Sequence, residues 1–130
     1  MALDYGEVRI GIAMSDLLQT IASPFETYKR KGQKQDIEYL TNLAKENSVL
    51  KIVVGLPLNM DGTEGERAEK TRNFGAKLQE SLGIEIVYID ERLSSVEAEE
   101  MLIQSGMRRE KRKEVIDKVA AAIILESYLK

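Results

Sequence analysis

Four acidic residues in three separate segments have the types and spacing that could support chemistry. Asp4 lies in "ALDYGEVRIGIAMSD", Asp90 and Glu91 lie in "YIDERLSSVEAE", and Asp117 lies in "KEVIDKVAAAIILESYL". Their surroundings are apolar, where an uncompensated carboxylate is costly. Carboxylates that converge there would repel one another and raise their pKa values, and a divalent cation would relieve both penalties. Because all these ligand atoms are oxygens, the predicted cation is Mg²⁺ or Mn²⁺.

The composition excludes several other kinds of site. The 130 residues include no histidine and no cysteine, so a serine–histidine triad, a zinc–thiolate site, a disulfide and a cysteine nucleophile are all excluded. Catalysis must rest on carboxylates, lysine, tyrosine, hydroxyls or a bound metal. Two divalent cations about 4 Å apart would clamp the attacking and leaving oxygens of a phosphodiester displacement. The residues alone leave a phosphodiester-cutting metal enzyme as one option among several.

Each acid also has a purely structural interpretation. Asp4 can stabilise a turn by accepting hydrogen bonds from nearby backbone N–H groups. The other three acids can cap a helix or form ion pairs with basic neighbours in the sequence, which are Arg92, Lys113 and Lys118. Composition and spacing do not decide between these interpretations and a metal site.

Charge is distributed unevenly along the sequence, which the net charge does not show. A net charge of -3 and a pI near 5.2 argue against a generic nucleic-acid coat. Positive charge is nevertheless concentrated in Tyr28–Lys34 and in Met107–Glu114. Either segment can meet phosphates and add salt-dependent affinity, and solvated charge on loops is the alternative.

The elements that must position these residues follow from hydrophobic periodicity. Strands are predicted over residues 2–5, 7–14, 23–30, 50–57 and 84–90, and helices over residues 35–47, 67–81, 94–104 and 111–130. Gly6 is expected to adopt a positive φ in a tight hairpin, and Gly83 to end the second helix. This order predicts one α/β domain over residues 1–130, with an antiparallel meander joined to parallel crossovers. Asp4, Asp90 and Glu91 then fall at strand ends, where functional crevices of open α/β sheets lie.

The sequence shows no sign of a membrane segment. No apolar stretch approaches the roughly 20 residues needed to cross a bilayer. The start also lacks the basic, apolar and small-residue order of a secretory signal. The expected location is therefore the cytoplasm.

Four segments taken together strongly resemble the YqgF family. They are the three quoted above and "IVVGLPLNMDGTEGERAE", and they occur in family order and spacing across essentially the whole chain. Members are ribonuclease H-fold proteins related to Holliday-junction resolvases and named as candidate pre-16S rRNA nucleases. The resemblance implies a three-layer ribonuclease H-like α/β fold, with a five-stranded mixed sheet in the order 3-2-1-4-5 flanked by helices.

The resemblance also implies roles for individual residues. Asp4, Glu91 and Asp117 match the family's catalytic acids and would hold the metal. Because neighbours along a strand face opposite ways, Asp90 and Glu91 are not expected to reach one metal together, although a strand end loosens that rule. Glu91 is preferred and Asp90 is the second choice as a metal ligand. The glycine-rich loop after the fourth strand can cradle a phosphate or form a simple turn. The expected nucleic-acid contacts are Arg9, Asn59, Arg67, Arg92, Arg108, Arg109, Lys111 and Arg112.

The chain departs from the family pattern at two places. Related nucleases often carry an acid at the end of the fourth strand, where this chain has Leu56 and Pro57, so the fifth-strand acid must substitute. The first strand has fewer apolar residues before Asp4 than family members have, which implies an abbreviated start or a different register. Glu114 is one turn before Asp117, and a surface role is expected for it.

The predicted function is a Mg²⁺- or Mn²⁺-dependent nuclease that acts on structured RNA such as pre-rRNA, or on branched DNA, as a monomer or homodimer. The first alternative is a ribosome-assembly or recombination factor that binds nucleic acid without cutting it. A second is an actin-like or sugar-kinase ATPase, since D-x-G also holds ATP phosphates there. Those enzymes close two such domains around the nucleotide, and one 130-residue domain does not provide the second.

Overall fold

A computed structural model describes residues 1–92 and 94–129, with the backbone only at Ser94 and Ser95. The elements follow the predicted order, with ends displaced by a few residues. They are β1 (Ala2–Tyr5), β2 (Arg9–Ser15), β3 (Ala22–Lys29), α1 (Gln33–Glu46), β4 (Ile52–Leu56), α2 (Glu66–Leu82), β5 (Ile86–Asp90), α3 (Ser94–Gln104) and α4 (Arg109–Leu129).

The strands form one mixed sheet in the order β3-β2-β1-β4-β5, which confirms the expected topology. β2 pairs antiparallel with β1 and with β3, whereas β1, β4 and β5 are parallel. The central strand β1 therefore has its carboxyl end at the same sheet edge as β4 and β5. In register, Asp4 lies opposite Gly11 on β2, and Leu3 lies opposite Val54 on β4.

Helices cover both faces of the sheet, so the architecture has three layers. Alternation along each strand sends large side chains to one face, where they pack against α1 and α2. That core includes Leu3, Ile10, Ile12, Val54 and Phe74, all fully buried. The opposite face carries smaller residues, among them Ala2, Ala13 and Val53, and packs against the apolar half of α4. α4 also packs against α3, to which Arg112 is tied through Glu99.

The expected positive φ at Gly6 is wrong. Among the described glycines, positive φ occurs at Gly32, Gly62, Gly83 and Gly106. Gly6 is needed instead for a close approach, because its N–H donates to the Arg9 carbonyl at 2.9 Å. A Cβ at Gly6 would lie 2.6 Å from that oxygen. Gly83 ends α2 in the left-handed conformation with φ 71°, as predicted.

A buried carboxylate ties the start of α1 to the β1–β2 hairpin. Asp36 is fully buried and accepts hydrogen bonds from the Tyr28 hydroxyl, Arg30 Nε and the Lys31 N–H, at 3.0, 2.9 and 2.9 Å. The same guanidinium donates to the Gly6 carbonyl at 3.2 Å. Burial alone would raise the pKa of Asp36, but these hydrogen bonds together hold it below its ordinary value of 3.8.

Replacing Asp36 by Asn is expected to lower the free energy of unfolding by about 3 kcal/mol at pH 7, because the Arg30 charge loses its buried partner. A lowered folded-state pKa adds stability above the unfolded pKa, and that stability is lost as pH falls through the folded value. The deficit of the variant should therefore shrink below about pH 4. Urea denaturation at pH 7, 5 and 3 measures it.

The matched control is Glu64→Gln, which removes the carboxylate of an exposed ion pair with Arg72. Exposed pairs contribute little to stability. A pH 7 cost for Asp36→Asn no larger than that of Glu64→Gln would contradict the assigned role of Asp36.

Among the helices of the described residues, none combines the length and the apolarity that crossing a membrane requires.

Candidate active site

Two of the predicted acids meet at the carboxyl edge of the parallel strands. Asp4 lies in the second half of β1, and Glu91 directly follows β5. Their carboxyl groups hydrogen-bond to each other, although one whole strand, β4, separates β1 from β5. Glu91 must therefore reach across β4 to meet Asp4.

Gly55 on β4 makes that reach possible. A Cβ at Gly55 would lie 2.5 Å from Glu91 Oε2 and 2.5 Å from Ile124 Cδ1 on α4. The Glu91 carboxyl thus occupies the space that a β4 side chain would fill. The register places Gly55 beside Asp4, because the preceding residues of the two strands, Val54 and Leu3, are paired. The acid that follows the fifth strand thus reaches Asp4 through this gap.

The contact between the two carboxyl groups perturbs both of them. Burial, followed by the nearby Asp4 charge, raises the pKa of Glu91 from 4.5 to about 9. Burial also raises the pKa of Asp4, and the charge of Asp117 acts in the same direction. The positive charge of Arg67 opposes both shifts. In the metal-free protein, the two carboxyl groups therefore share a proton at neutral pH.

Asp117 approaches this pair from α4 and is held by an arginine. Arg9 Nε donates to Asp117 Oδ2 at 2.8 Å, and the two side chains are 50% and 24% exposed. The predicted pairing of Asp117 with Lys113 or Lys118 is thus replaced by a partner from β2. Gly11 allows α4 to lie this close, since a Cβ there would be 2.0 Å from the Asp117 carbonyl oxygen.

In this arrangement, the carboxyl oxygens of the three acids fit a divalent cation only in part. Within residues 1–92 and 94–129, no three acidic side chains are close enough together to hold a metal ion. Asp4 and Glu91 present carboxyl oxygens in one mostly buried cavity, where a cation would replace the shared proton. Asp117 would complete an all-oxygen ligand set of the kind that Mg²⁺ and Mn²⁺ prefer. Asp4 and Glu91 therefore fit a divalent cation, and Asp117 would have to leave its guanidinium partner to join them.

An open cleft adjoins the acids. It has a volume of about 310 Å³ and is lined by Gly6, Glu7, Val8, Arg9, Arg67 and Asp117. Arg67, on the first turn of α2, is exposed. The cleft thus sets two guanidinium groups beside the carboxylates, which is the charge pattern that a phosphate next to a cation requires.

Asp90 lies apart from the acid pair. Its carboxylate pairs with Arg92, at 2.9 Å from both Nε and Nη2. Arg92 Nη1 also donates to the Met60 carbonyl at 3.1 Å, which fixes the loop after β4 to the end of β5. Of the two neighbouring acids, Glu91 is therefore the one that lies against Asp4.

The glycine-rich loop after β4 satisfies its own backbone. The Asn59 N–H donates to the Thr63 carbonyl at 2.8 Å, and the Gly62 N–H donates to the Asn59 carbonyl at 2.8 Å. The Asn59 side chain donates to the Thr63 hydroxyl at 2.9 Å. These donors are already used, which favours the simple-turn interpretation over a phosphate cradle.

The basic run before and within α4 divides into two groups. Arg112 is structural, because its guanidinium contacts Glu99 on α3 at 3.1 Å and the Met107 carbonyl at 2.9 Å. Four other cations of the run are exposed, namely Arg108, Arg109, Lys111 and Lys113. Glu114 is exposed as well, as expected for a surface residue.

Comparisons with known proteins agree with this architecture. The family model described as "RuvX: Holliday junction resolvase" matches residues 1–130. A protein of Syntrophomonas wolfei is 50% identical over 129 residues, which are 99% of this chain and 92% of that protein. A protein of Halothermothrix orenii is 52% identical with the same coverage, and both are named "Putative pre-16S rRNA nuclease".

A solved structure of T. thermophilus RuvC in complex with a Holliday junction substrate superposes with a TM-score of 0.59. It is 12% identical and covers 98% of this chain and 90% of that chain. This likeness shows the ribonuclease H-like fold. With a family model over its whole length and relatives at about half identity, the chain belongs to the RuvX family, also called YqgF.

Proposed function

We propose that this protein is a divalent-metal-dependent nuclease that hydrolyses phosphodiester bonds in nucleic acid. The observation that carries the proposal is the contact between the Asp4 and Glu91 carboxyl groups across Gly55, with Asp117 beside them. Ionising two carboxyl groups in buried contact costs free energy. A contact of this kind therefore indicates a functional site, such as one that binds a cation. Names of relatives that include a nuclease and a resolvase support the same chemistry.

The residues divide into two roles. Asp4, Glu91 and Asp117 would hold Mg²⁺ or Mn²⁺, and Asp90 stays attached to Arg92. When bound, the metal supplies charge stabilisation for the displacement at phosphorus and lowers the pKa of an attacking water. Arg9 and Arg67 bind the phosphate that enters the cleft and orient it toward the acids, because a guanidinium matches the geometry of phosphate oxygens.

The proposed substrate is the 5′ end of pre-16S rRNA, with a branched DNA junction as a second possibility of the same chemistry. The names of the relatives support the RNA, and the family description supports the junction. The exposed cations Arg108, Arg109 and Lys111, at and just before the start of α4, bind backbone phosphates. A cytoplasmic protein, acting as a monomer or homodimer, is consistent with either substrate.

One alternative is favoured by a specific observation. Asp117 is engaged by Arg9, and no three described acids form a metal cluster. A protein permanently in that state would bind nucleic acid without cutting it, as a ribosome-assembly or recombination factor.

A cleavage panel separates the two functions. Labelled pre-16S rRNA fragments and a four-way DNA junction are incubated with the protein and Mg²⁺, Mn²⁺ or Ca²⁺, with EDTA as the metal-free control. The proposal expects discrete products with Mg²⁺ or Mn²⁺ and none with EDTA. Binding of either substrate without any cleavage in Mg²⁺ and Mn²⁺ would establish the non-catalytic alternative.

A further inference from the structure

The ion pair between Arg9 and Asp117 joins an exposed side chain to a residue whose backbone is tightly packed. Arg9 is the first residue of β2, and its side chain is half exposed at the cleft. Asp117 belongs to α4, whose backbone rests directly on Gly11, where a Cβ would lie 2.0 Å from the Asp117 carbonyl oxygen. The helix position is therefore fixed at Asp117, and the arginine is the partner that can leave.

The position of Arg9 makes it a competitor for the carboxylate. Its guanidinium contacts Asp117 Oδ2 at 2.8 Å, and the charge of Asp117 reaches Asp4. A cation at the acid pair would compete for the Asp117 carboxylate with Arg9, which now occupies Oδ2. A substrate phosphate in the same cleft would offer the guanidinium a second anionic partner with matching geometry.

We propose that Arg9 is a positioning residue that holds Asp117 in the free protein and releases it when a substrate phosphate takes the guanidinium. This inference rests on the proposed function, because it assigns Asp117 to the metal. Nucleic acid and metal then strengthen each other's binding, since a coupling between two ligands is reciprocal. Free protein would bind the metal weakly, and the complete ligand set would form only with nucleic acid present.

The test measures Mn²⁺ affinity by electron paramagnetic resonance, with and without a four-way DNA junction. Samples are frozen directly after mixing, and a gel of the same samples shows that the junction has not yet been cut. In the wild-type protein, the junction should tighten Mn²⁺ binding by roughly ten-fold, within the usual range for coupled sites. Arg9→Gln should bind Mn²⁺ roughly ten-fold more tightly than wild type without the junction, and the junction should add little. Arg9→Lys, which keeps the charge and an ammonium donor, should restore most of the coupling.

Two comparisons separate the ion pair from a general charge effect. Arg67→Gln removes one positive charge from the same cleft without breaking the contact to Asp117, and it should retain the coupling. When Asp117→Asn is already present, Arg9→Gln should raise the Mn²⁺ affinity no more than Arg67→Gln does, because the ion pair is then already lost. Coupling that persists undiminished in Arg9→Gln, or equal Mn²⁺ affinities for Arg9→Gln and Arg67→Gln, would overturn the inference.

Failure of the metal site itself has a different signature. If, with the junction present, Asp4→Asn and Asp117→Asn both bind Mn²⁺ as the wild type does, the ligand assignment is wrong and the inference falls with it. If both variants lose affinity while Arg9→Gln matches wild type with and without the junction, the metal site stands and only the role of Arg9 is rejected. Circular dichroism checks that each variant is folded.

Discussion

Asp4→Asn is expected to lower metal-dependent cleavage by at least about a thousand-fold, because the removed charge belongs to a set of groups that act as one unit. The fold should be unaffected, since an amide at this position still hydrogen-bonds to Glu91. Removing one of two carboxylates in buried contact also relieves their repulsion. We therefore expect the metal-free variant to be at least as stable as the wild type, as is common for residues whose role is catalytic.

Three measurements on Asp4→Asn decide the outcome. Single-turnover cleavage in Mg²⁺ gives the rate, fluorescence anisotropy in Ca²⁺ gives the affinity for nucleic acid, and thermal denaturation in EDTA gives the stability. Asp16→Asn is the control, because Asp16 is an exposed aspartate in the β2–β3 turn that binds the Thr20 and Ile21 N–H groups. Cleavage by Asp4→Asn within a few-fold of that control would remove Asp4 from the mechanism.

Gly55→Ala is expected to lower cleavage by about a hundred-fold, because a displacement of about 1 Å in a catalytic group has effects of that size. The added methyl would lie 2.5 Å from Glu91 Oε2 and 2.5 Å from Ile124 Cδ1. Both neighbours are ends of flexible side chains, so they can move aside at a cost of about 1 to 3 kcal/mol. The movement takes the Glu91 carboxyl away from Asp4.

Gly11→Ala is the matched comparison, a glycine on the neighbouring part of the same sheet face. Its methyl would meet the backbone of α4, at 2.0 Å from the Asp117 carbonyl oxygen. Since a helix backbone cannot yield as a side chain can, we expect a loss of more than about 3 kcal/mol and weakened docking of α4. Urea denaturation of both variants measures their stability. Cleavage by each variant is measured at a temperature 20 °C below its midpoint of thermal unfolding. Full activity in folded Gly55→Ala would show that Glu91 does not act through this gap.

The sequence by itself determined the elements and the sheet edge that carries the acids. Periods of two and of about 3.6 residues are local properties, so each strand and helix could be recognised from its own residues. The placement of Asp4 and Glu91 at strand ends followed in turn from the parallel crossovers. Alternation of side chains along a strand indicated that Asp90 and Glu91 would not both reach the site, and Glu91 was the preferred one. The structure places Glu91 against Asp4 and Asp90 against Arg92.

Only the tertiary structure decided how those acids are held. Gly55 carries no chemistry of its own, and its function as the gap for Glu91 exists only because β1, β4 and β5 lie side by side. The conformation of Gly6 was predicted wrongly because its constraint is the approach of Arg9 rather than its own φ. Arg9 and Asp117 are 108 positions apart, yet they form an ion pair at 2.8 Å. Which partner a charge finds depends on elements that pack across the sheet, and no local spacing in the chain records that.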